Sequence, residues 1–591
     1  MPTQNAAQLA ESNYDVIICG GGLAGQTLAR QLKLNNPVLS ILMIIKSEMP
    51  LAWNDFKVGE STVEISAFYF SEVLMLQDYF KNNHYKKFGF RYFTGDSSQI
   101  PSARPEIGLS AYAPYDSFQI DRGVFESDLY FMNLLANVTV ISGATIKSIS
   151  LSDTGSLHTV TYQKEGDKST CEVRSRWVVD ASGRRSLIQR TLRLQEEPET
   201  SCCATWWRVK GRLDVDDLVP RERENEDYFM RVANRSRFYS TTHLMNKGYW
   251  VWLIPLASGH TSVGIVTANA IHPFESYNTC DKSMKWLSIN EPALYQHMQQ
   301  FEIVDFLKMK NYSYGSRQVF SADRWACTGE AGLFTDPYYS PGSNFIAFEN
   351  SMITRMIMDD MNNEDDWGIL VQEYNDFIIN MNKWLTKSIQ SSYTYFHLDI
   401  VIALSFIWDV AAGWSFICPR MFNSIYLNRE TNTDLKETTL RFFSIAYNVE
   451  GFFNEWKELT PDNQTFRFID YLSIPFLKRI YDRNVKKGKS GKQLKTDFEQ
   501  NLRDIEVFVQ SLFWIALEDV YPQMQELISR RPWLNSWAIT LDVSSWEVKR
   551  LFSPDTPPVD INDTYAQLKS LFRKRHQSAA KPVDDFDYSF K

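Results

Sequence analysis

Tyr14-Asp15-Val16-Ile17-Ile18-Cys19-Gly20-Gly21-Gly22-Leu23-Ala24-Gly25 decides how this chain folds. The apolar run, broken only by Asp15, reads as a buried strand, the glycines as a tight turn, and Gln26 to Leu34, apolar at helical spacing, as a helix. Gly20, Gly22 and Gly25 therefore form G-x-G-x-x-G between a strand and a helix, the context in which that pattern carries weight. Glycine permits the turn, lets backbone N–H groups approach a pyrophosphate and lets the helix pack closely, while the helix N-terminus favours negative charge. Val38 to Ile45 supplies a second apolar run, so the opening residues predict a βαβ unit with parallel, buried strands. Leu23 and Ala24 open the helix and are assigned to the dinucleotide with the glycines. The acid that usually takes the ribose lies about 20 residues further on. Ile45-Lys46 stands there instead, with Glu48 just beyond, so ribose recognition is either shifted to Glu48 or relaxed.

Arg174 to Ser182 and Trp325 to Gly329 read as later strands of the same sheet, which makes the nucleotide domain discontinuous. In Val178-Val179-Asp180-Ala181-Ser182-Gly183-Arg184, small residues let a cofactor pass close, and Asp180 is a candidate contact. Thr328-Gly329-Glu330-Ala331-Gly332-Leu333 places Glu330 where an acid meets a ribityl chain. Asp121-Arg122-Gly123-Val124-Phe125 offers Arg122 to the ring end. These signals, in this order, point to FAD. Alternation in Ser156 to Gln163 and Tyr249 to Thr267 predicts a second, largely antiparallel sheet roofing the cofactor.

From about Glu349 the pattern turns helical, at Asn350 to Asp360, Trp367 to Ser388 and Ser490 to Asp519. The expected class is α/β: a Rossmann-like FAD-binding domain of the aromatic-hydroxylase kind, an antiparallel-sheet substrate region and a helical C-terminal region. The boundaries fall at 1–390 for the core and 391–591 for helices that cover the substrate. Trp408, Trp414 and Phe416 are candidate liners there, and Lys486 to Lys495 is a solvated basic loop. The polar, proline-rich tail after Pro554 is expected to be partly disordered.

Across 591 residues the net charge is −9, which gives no electrostatic footprint for nucleic acid. Aromatic residues make up 14%, a surplus that must line something. The seven cysteines are scattered without C-x-x-C spacing, which predicts no metal site and fits a reducing cytoplasm. Met1 to Asn13 is polar and short, so no leader is read there. Ile400 to Cys418 is interrupted by Asp409 and Gly413 and falls short of the roughly 20 residues of a bilayer span. It is expected to be a buried helix rather than a membrane span.

Gly248-Tyr249-Trp250-Val251-Trp252-Leu253-Ile254-Pro255 matches the W-x-W-x-I-P signature of flavin-dependent halogenases. Phe334-Thr335-Asp336-Pro337-Tyr338-Tyr339-Ser340-Pro341-Gly342 resembles their second signature, F-x-x-P-x-x-S-x-G. The resemblance runs from about residue 14 to 390. It implies that FAD, supplied as FADH2, reacts with O2 to a hydroperoxide, that chloride or bromide attacks it, and that hypohalous acid travels a tunnel to a catalytic lysine. Trp250, Trp252 and Pro255 would hold substrate away from the flavin, with Pro337, Tyr339 and Ser340 along the tunnel. Ser61, Gly342, Ser343 and Asn344 would contact cofactor. In the family halide rests on backbone amides at this turn, but Pro341 has no N–H, which leaves Gly342 and Ser343 for that task.

The lysine demanded is an amine in an apolar site, its pKa lowered by desolvation. Lys87, in His84-Tyr85-Lys86-Lys87-Phe88-Gly89-Phe90-Arg91, takes the position, with Lys86 and Lys57 as rivals. Tryptophan halogenases carry Glu where Tyr339 stands, so the resemblance implies a phenolic or other electron-rich small aromatic substrate rather than free tryptophan. A carrier-protein-tethered substrate stays open. No second glycine loop for NADPH is visible, which implies a separate flavin reductase. The alternative is a flavin monooxygenase or oxidase without halide use, for which Pro341 and Glu330 speak.

Overall fold

The computed structural model describes residues 13–52, 57–153, 155–197, 201–364 and 367–575. The leader reading of Met1 to Asn13 lies almost wholly outside them, as does the end of the tail.

The strand Asn13–Cys19 runs in the middle of a parallel sheet, between Ile41–Ile44 and Cys171–Asp180. Thr139–Ile141 and Trp325–Cys327 extend it on either side, both parallel. Val16, Ile17 and Ile18 have no accessible surface, as strands covered on both faces require. Gly20 has φ +131°, and a Cβ there would sit 2.2 Å from the Ala181 carbonyl oxygen. A Cβ on Gly25 would sit 2.1 Å from the Gly20 carbonyl oxygen. These two glycines are thus demanded by the crossing of the turn with the neighbouring strand and by the helix Leu23–Asn35 folding back on it. Ser156 to Gln163 does not join the second sheet as expected. His158–Lys164 pairs antiparallel with Cys171–Asp180 in the first, because the short turn after Lys164 closes a local hairpin.

The second sheet runs, strand by strand, Leu307–Met309, Cys202–Lys210, His260–Ala268, Tyr249–Pro255, Thr241–Asn246, Phe90–Phe93, Glu106–Gly108 and Phe468–Asp470. The four strands from Cys202–Lys210 to Thr241–Asn246 in that order are antiparallel, and Phe90–Phe93 joins them parallel to Thr241–Asn246. The two-residue period of a strand divides Tyr249–Pro255 between two cores. Trp250, Trp252 and Ile254 face the large core. Tyr249, Val251 and Leu253 face a smaller cluster with Phe274 and Trp286. Phe468–Asp470 lies far along the chain, so the helical region also contributes an edge strand.

Helices Gly342–Met361, Trp367–Ser392, Lys436–Leu459 and Gly491–Val520 build the rest. Ser490 caps the last through Gln493, reciprocally. Asp399–Phe422 is long and apolar enough to cross a membrane, yet 83% of its most apolar window is buried inside the protein. Trp408 packs on Phe508 and Phe416 stacks on Phe442, so both serve the core rather than line a pocket. The tail departs from expectation as far as it is described: Asn562–Lys569 is a helix, anchored by Tyr565 donating to Glu518 at 2.7 Å. Its Tyr565 and Leu568 are apolar anchors spaced too sparsely to stand out in a polar segment.

Gly25→Ala is expected to cost about 3 kcal/mol, since backbone must move to admit the methyl group. A clear drop in the thermal midpoint checks this, and an unchanged midpoint contradicts the packing described.

Candidate active site

Two cavities share Gly22, Ala181 and Gly183 and so form one crevice along the carboxyl ends of the parallel strands. One end lies among Lys46, Ser47 and Met49. The other passes Arg122 and Glu330 and reaches Trp250, Trp252 and Ser61. A Cβ added at Gly22 would meet nothing within 4 Å, so the backbone there is open to a ligand at the start of a helix. A crevice of this course, with bare amides at mid-length, fits an extended dinucleotide such as FAD.

Leu23 and Ala24 line it beside the glycine turn, and Pro337, Ser340, Gly342 and Ser343 line it further along. Pro341 precedes the helix, and the backbone N–H groups of Asn344 and Phe345 turn back to its carbonyl oxygen. Gly342 and Ser343, in the first turn, have no carbonyl to pair with inside the helix. Ser340 adopts the left-handed conformation at φ +52°. Arg122 is held by the Val58 carbonyl at 2.8 Å and by Glu126 at 2.9 Å.

Other sequence candidates lie elsewhere. Glu48 is exposed and accepts from Ser142 at 3.2 Å, while Lys46 and Ser47 line that end of the crevice. The Asp180 carboxylate is taken up by the backbone N–H groups of Ser182 and Ile188, at 3.0 and 2.8 Å. The Asn344 side chain accepts from the Ser66 backbone at 3.1 Å. Pro255 ends its strand next to Ile254, which does line the cavity. Tyr339 points away from the crevice and donates to Asp409 at 2.7 Å. An acid does stand behind position 339, supplied by another helix. Burial lifts the Asp409 pKa to about 7.

Lys87 is 3% exposed, behind the wall of the crevice. Its ammonium donates to Ser61 Oγ and to the Thr62 carbonyl, both at 2.9 Å, and lies 3.6 Å from the centre of the Phe90 ring. Burial lowers its pKa to about 7, against a smaller opposing pull from Glu64. Ser61 lines the crevice, so one hydroxyl separates lysine from cofactor space. The rivals are engaged elsewhere: Lys86 pairs with Asp116 at the surface, and Lys57 with Glu126.

The two signature segments meet through residues that the sequence did not flag. Asp336 accepts from Tyr312 and Tyr393, each at 2.7 Å, and Tyr393 accepts from the Trp250 indole at 2.9 Å. Burial raises the Asp336 pKa, against these donors. Trp252 donates to Ser262 at 3.1 Å and lies flat over Gly264, where a Cβ would be 2.2 Å from its ring. His243 lines the crevice and stacks on Tyr92, and burial, helped by Lys87, lowers its pKa to about 3. A neutral imidazole results. Asp336 lay inside a quoted motif and its buried setting was a usable signal. Tyr393 and His243 carry none, because their partners are distant in sequence.

No protein-family model matches the chain. It is 29% identical over 476 residues to the flavin-dependent halogenase chlA of Dictyostelium discoideum, covering 74% of this chain and 77% of that one. It is 27% identical over 357 residues to a pyrrole-2-carbonyl peptidyl-carrier-protein chlorinase of Pseudomonas fluorescens, covering 56% and 73%. Among solved structures, halogenase PltM superposes with a TM-score of 0.59 at 18% identity, over 88% of this chain and 99% of its own. The relatives are flavin-dependent halogenases, and the fold is theirs.

Gly22→Val should leave the thermal midpoint in place, because the side chain enters open space. FAD affinity should fall at least about tenfold, or ~1.4 kcal/mol, by calorimetry. Unchanged affinity would show that the cofactor does not pass this turn.

Proposed function

We infer that this chain works as the flavin-dependent halogenases related to it do: it halogenates a phenolic or other electron-rich aromatic ring with chloride or bromide, using FADH2 and O2. The observation that carries this reading is the buried Lys87 ammonium, one hydroxyl away from the crevice that fits FAD. Reduced flavin bound in that crevice would supply, with O2 and halide, the oxidising equivalent carried by hypohalous acid.

The chain's own residues do the rest. Gly342 and Ser343 present backbone amides to the crevice and so offer halide a seat despite Pro341. Trp250 and Trp252, held by Tyr393 and Ser262, block an aromatic substrate from approaching the cofactor. Ser61 and the Thr62 carbonyl take two of the three Lys87 donors and leave one for the oxidant. That ammonium would steer hypohalous acid and return a proton to the departing hydroxide.

A phenol suits the site better than indole because Tyr339 replaces the acid of the tryptophan enzymes, and PltM has been solved with phloroglucinol and FAD. A carrier-bound pyrrole is the substrate named for the Pseudomonas relative. A separate reductase is the source of FADH2. A halide-independent monooxygenase or oxidase is the second reading, and Pro341 is the observation that favours it.

The test supplies the protein with FAD, a flavin reductase, NADH, O2, bromide and a panel of phenols, and reads products by mass spectrometry. Brominated product is expected, falling by more than about 100-fold in Lys87→Ala. Oxygenated product would favour the second reading. Since the ammonium is the working form and burial puts its pKa at about 7, the rate should fall as pH rises through about 7. A rate that climbs through that range would contradict a proton-donating Lys87.

A further inference from the structure

Lys57 and Arg122 stand on the two cavities of the crevice, and one carboxylate holds both. Lys57 lines the cavity that ends among Lys46, Ser47 and Met49, together with Gly20 and Gly22. Arg122 lines the cavity that leads to the tryptophans, which also reaches Gly22. Glu126, with no accessible surface, accepts from Lys57 Nζ at 2.5 Å through one oxygen and from Arg122 Nε at 2.9 Å through the other. Burial alone would push the Glu126 carboxyl up, but the two cations beside it hold it below the usual carboxylate range.

The chain builds this pair from two places. Arg122 and Glu126 sit one turn apart on the helix Arg122–Leu135 and so share a face. Lys57 opens the segment that wraps Arg122: the Val58 carbonyl accepts from Arg122 Nη1 at 2.8 Å, and Gly59, at φ +94°, leaves that nitrogen 2.7 Å from where a Cβ would be. A lysine ammonium has three donors, of which Glu126 takes one, and a guanidinium has five, of which Glu126 and Val58 take three. Both cations therefore keep donors for another acceptor. Charge is also uneven along the crevice, since the cavity with Lys57 is lined by Lys46 and Arg185 as well and, among the described residues, by no Asp or Glu.

Resting on the reading of this crevice as the FAD site of a halogenase, we propose that Lys57 and Arg122, held side by side on Glu126, divide the cofactor's two phosphates between them, and that Lys57 thereby selects FAD over FMN. Arg122, on the side that leads to the tryptophans, takes the phosphate nearer the flavin ring. Lys57, on the side that leads to Lys46, takes the phosphate of the adenosine half. The open backbone at Gly22, shared by the two cavities, meets the pyrophosphate between them. FMN carries only the ring-side phosphate, so it would engage Arg122 and leave Lys57 without an acceptor. Charge-assisted bonds from a cation to a phosphate are among the stronger polar contacts, so the difference is large enough to measure.

The experiment titrates the full chain, freed of flavin, with FAD and with FMN by calorimetry, for the unaltered protein, Lys57→Met, Lys57→Arg and Arg122→Met, with the thermal midpoint of each variant recorded alongside. Lys57→Met is expected to bind FAD at least about tenfold more weakly and FMN with essentially unchanged affinity, Lys57→Arg to keep most of the FAD affinity, and Arg122→Met to weaken both flavins. Equal losses of FAD and FMN in Lys57→Met would show a general structural role, and no loss of FAD would show that Lys57 does not meet the pyrophosphate. Either overturns the proposal, as does an unaltered protein that binds FMN as tightly as FAD. The expected pattern in a protein that yields no halogenated product would uphold this inference and refute the halogenase reading alone, whereas an unaltered protein that binds neither flavin would refute both.

Discussion

A lysine ammonium with almost no water is the constraint to which the rest of the site answers. An unpaired buried charge costs several kcal/mol. Lys87 recovers part of that from two oxygens at 2.9 Å and from the Phe90 ring, a cation–π contact worth about 2 kcal/mol when desolvated. Each partner is then pinned in turn. Ser61 bonds Thr241 on the second sheet at 2.7 Å, Thr241 receives Gln119 at 3.0 Å, and Thr62 pairs with the Phe118 backbone. The segment after the flavin crevice and the strand beside the tryptophans are therefore locked together at the point where the amine must sit.

The two signature segments behave as one object for a similar reason. Asp336 is buried and must be satisfied, and it is, by two tyrosine hydroxyls and the Tyr338 backbone N–H. One of those tyrosines carries the Trp250 indole, so the turn that offers amides to the crevice also sets the wall that narrows it. Gly264 matters because the Trp252 ring occupies the space of its missing side chain. A motif read as spaced letters is, in three dimensions, a chain of hydrogen bonds that runs from Trp250 to Tyr393, 143 residues on, and back to Asp336.

The sequence showed what local physics dictates. Gly20 and Gly25 are forced by close backbone approaches, and the βαβ opening follows from a strand too apolar to be exposed. Lys87 could be placed by its motif, but its two oxygens and its ring could not. What stayed hidden depended on long-range pairing. Alternation in Ser156 to Gln163 says strand without saying which sheet, and only the fold shows that Glu48 meets Ser142 and that Asp180 meets the Ser182 and Ile188 amides. Trp408 and Phe416 show the same limit, since a ring's letter does not tell core from pocket.

The measurement that bears most directly on this account is a titration of lysine side-chain carbons by NMR in protein labelled at lysine Cε, with Lys87→Met to assign the resonance. A buried, ring-stacked ammonium predicts a signal that moves near pH 7 and is missing in the variant. If no signal that the variant lacks moves near pH 7, Lys87 is hydrated, and the arrangement that links it to the crevice is not the one described.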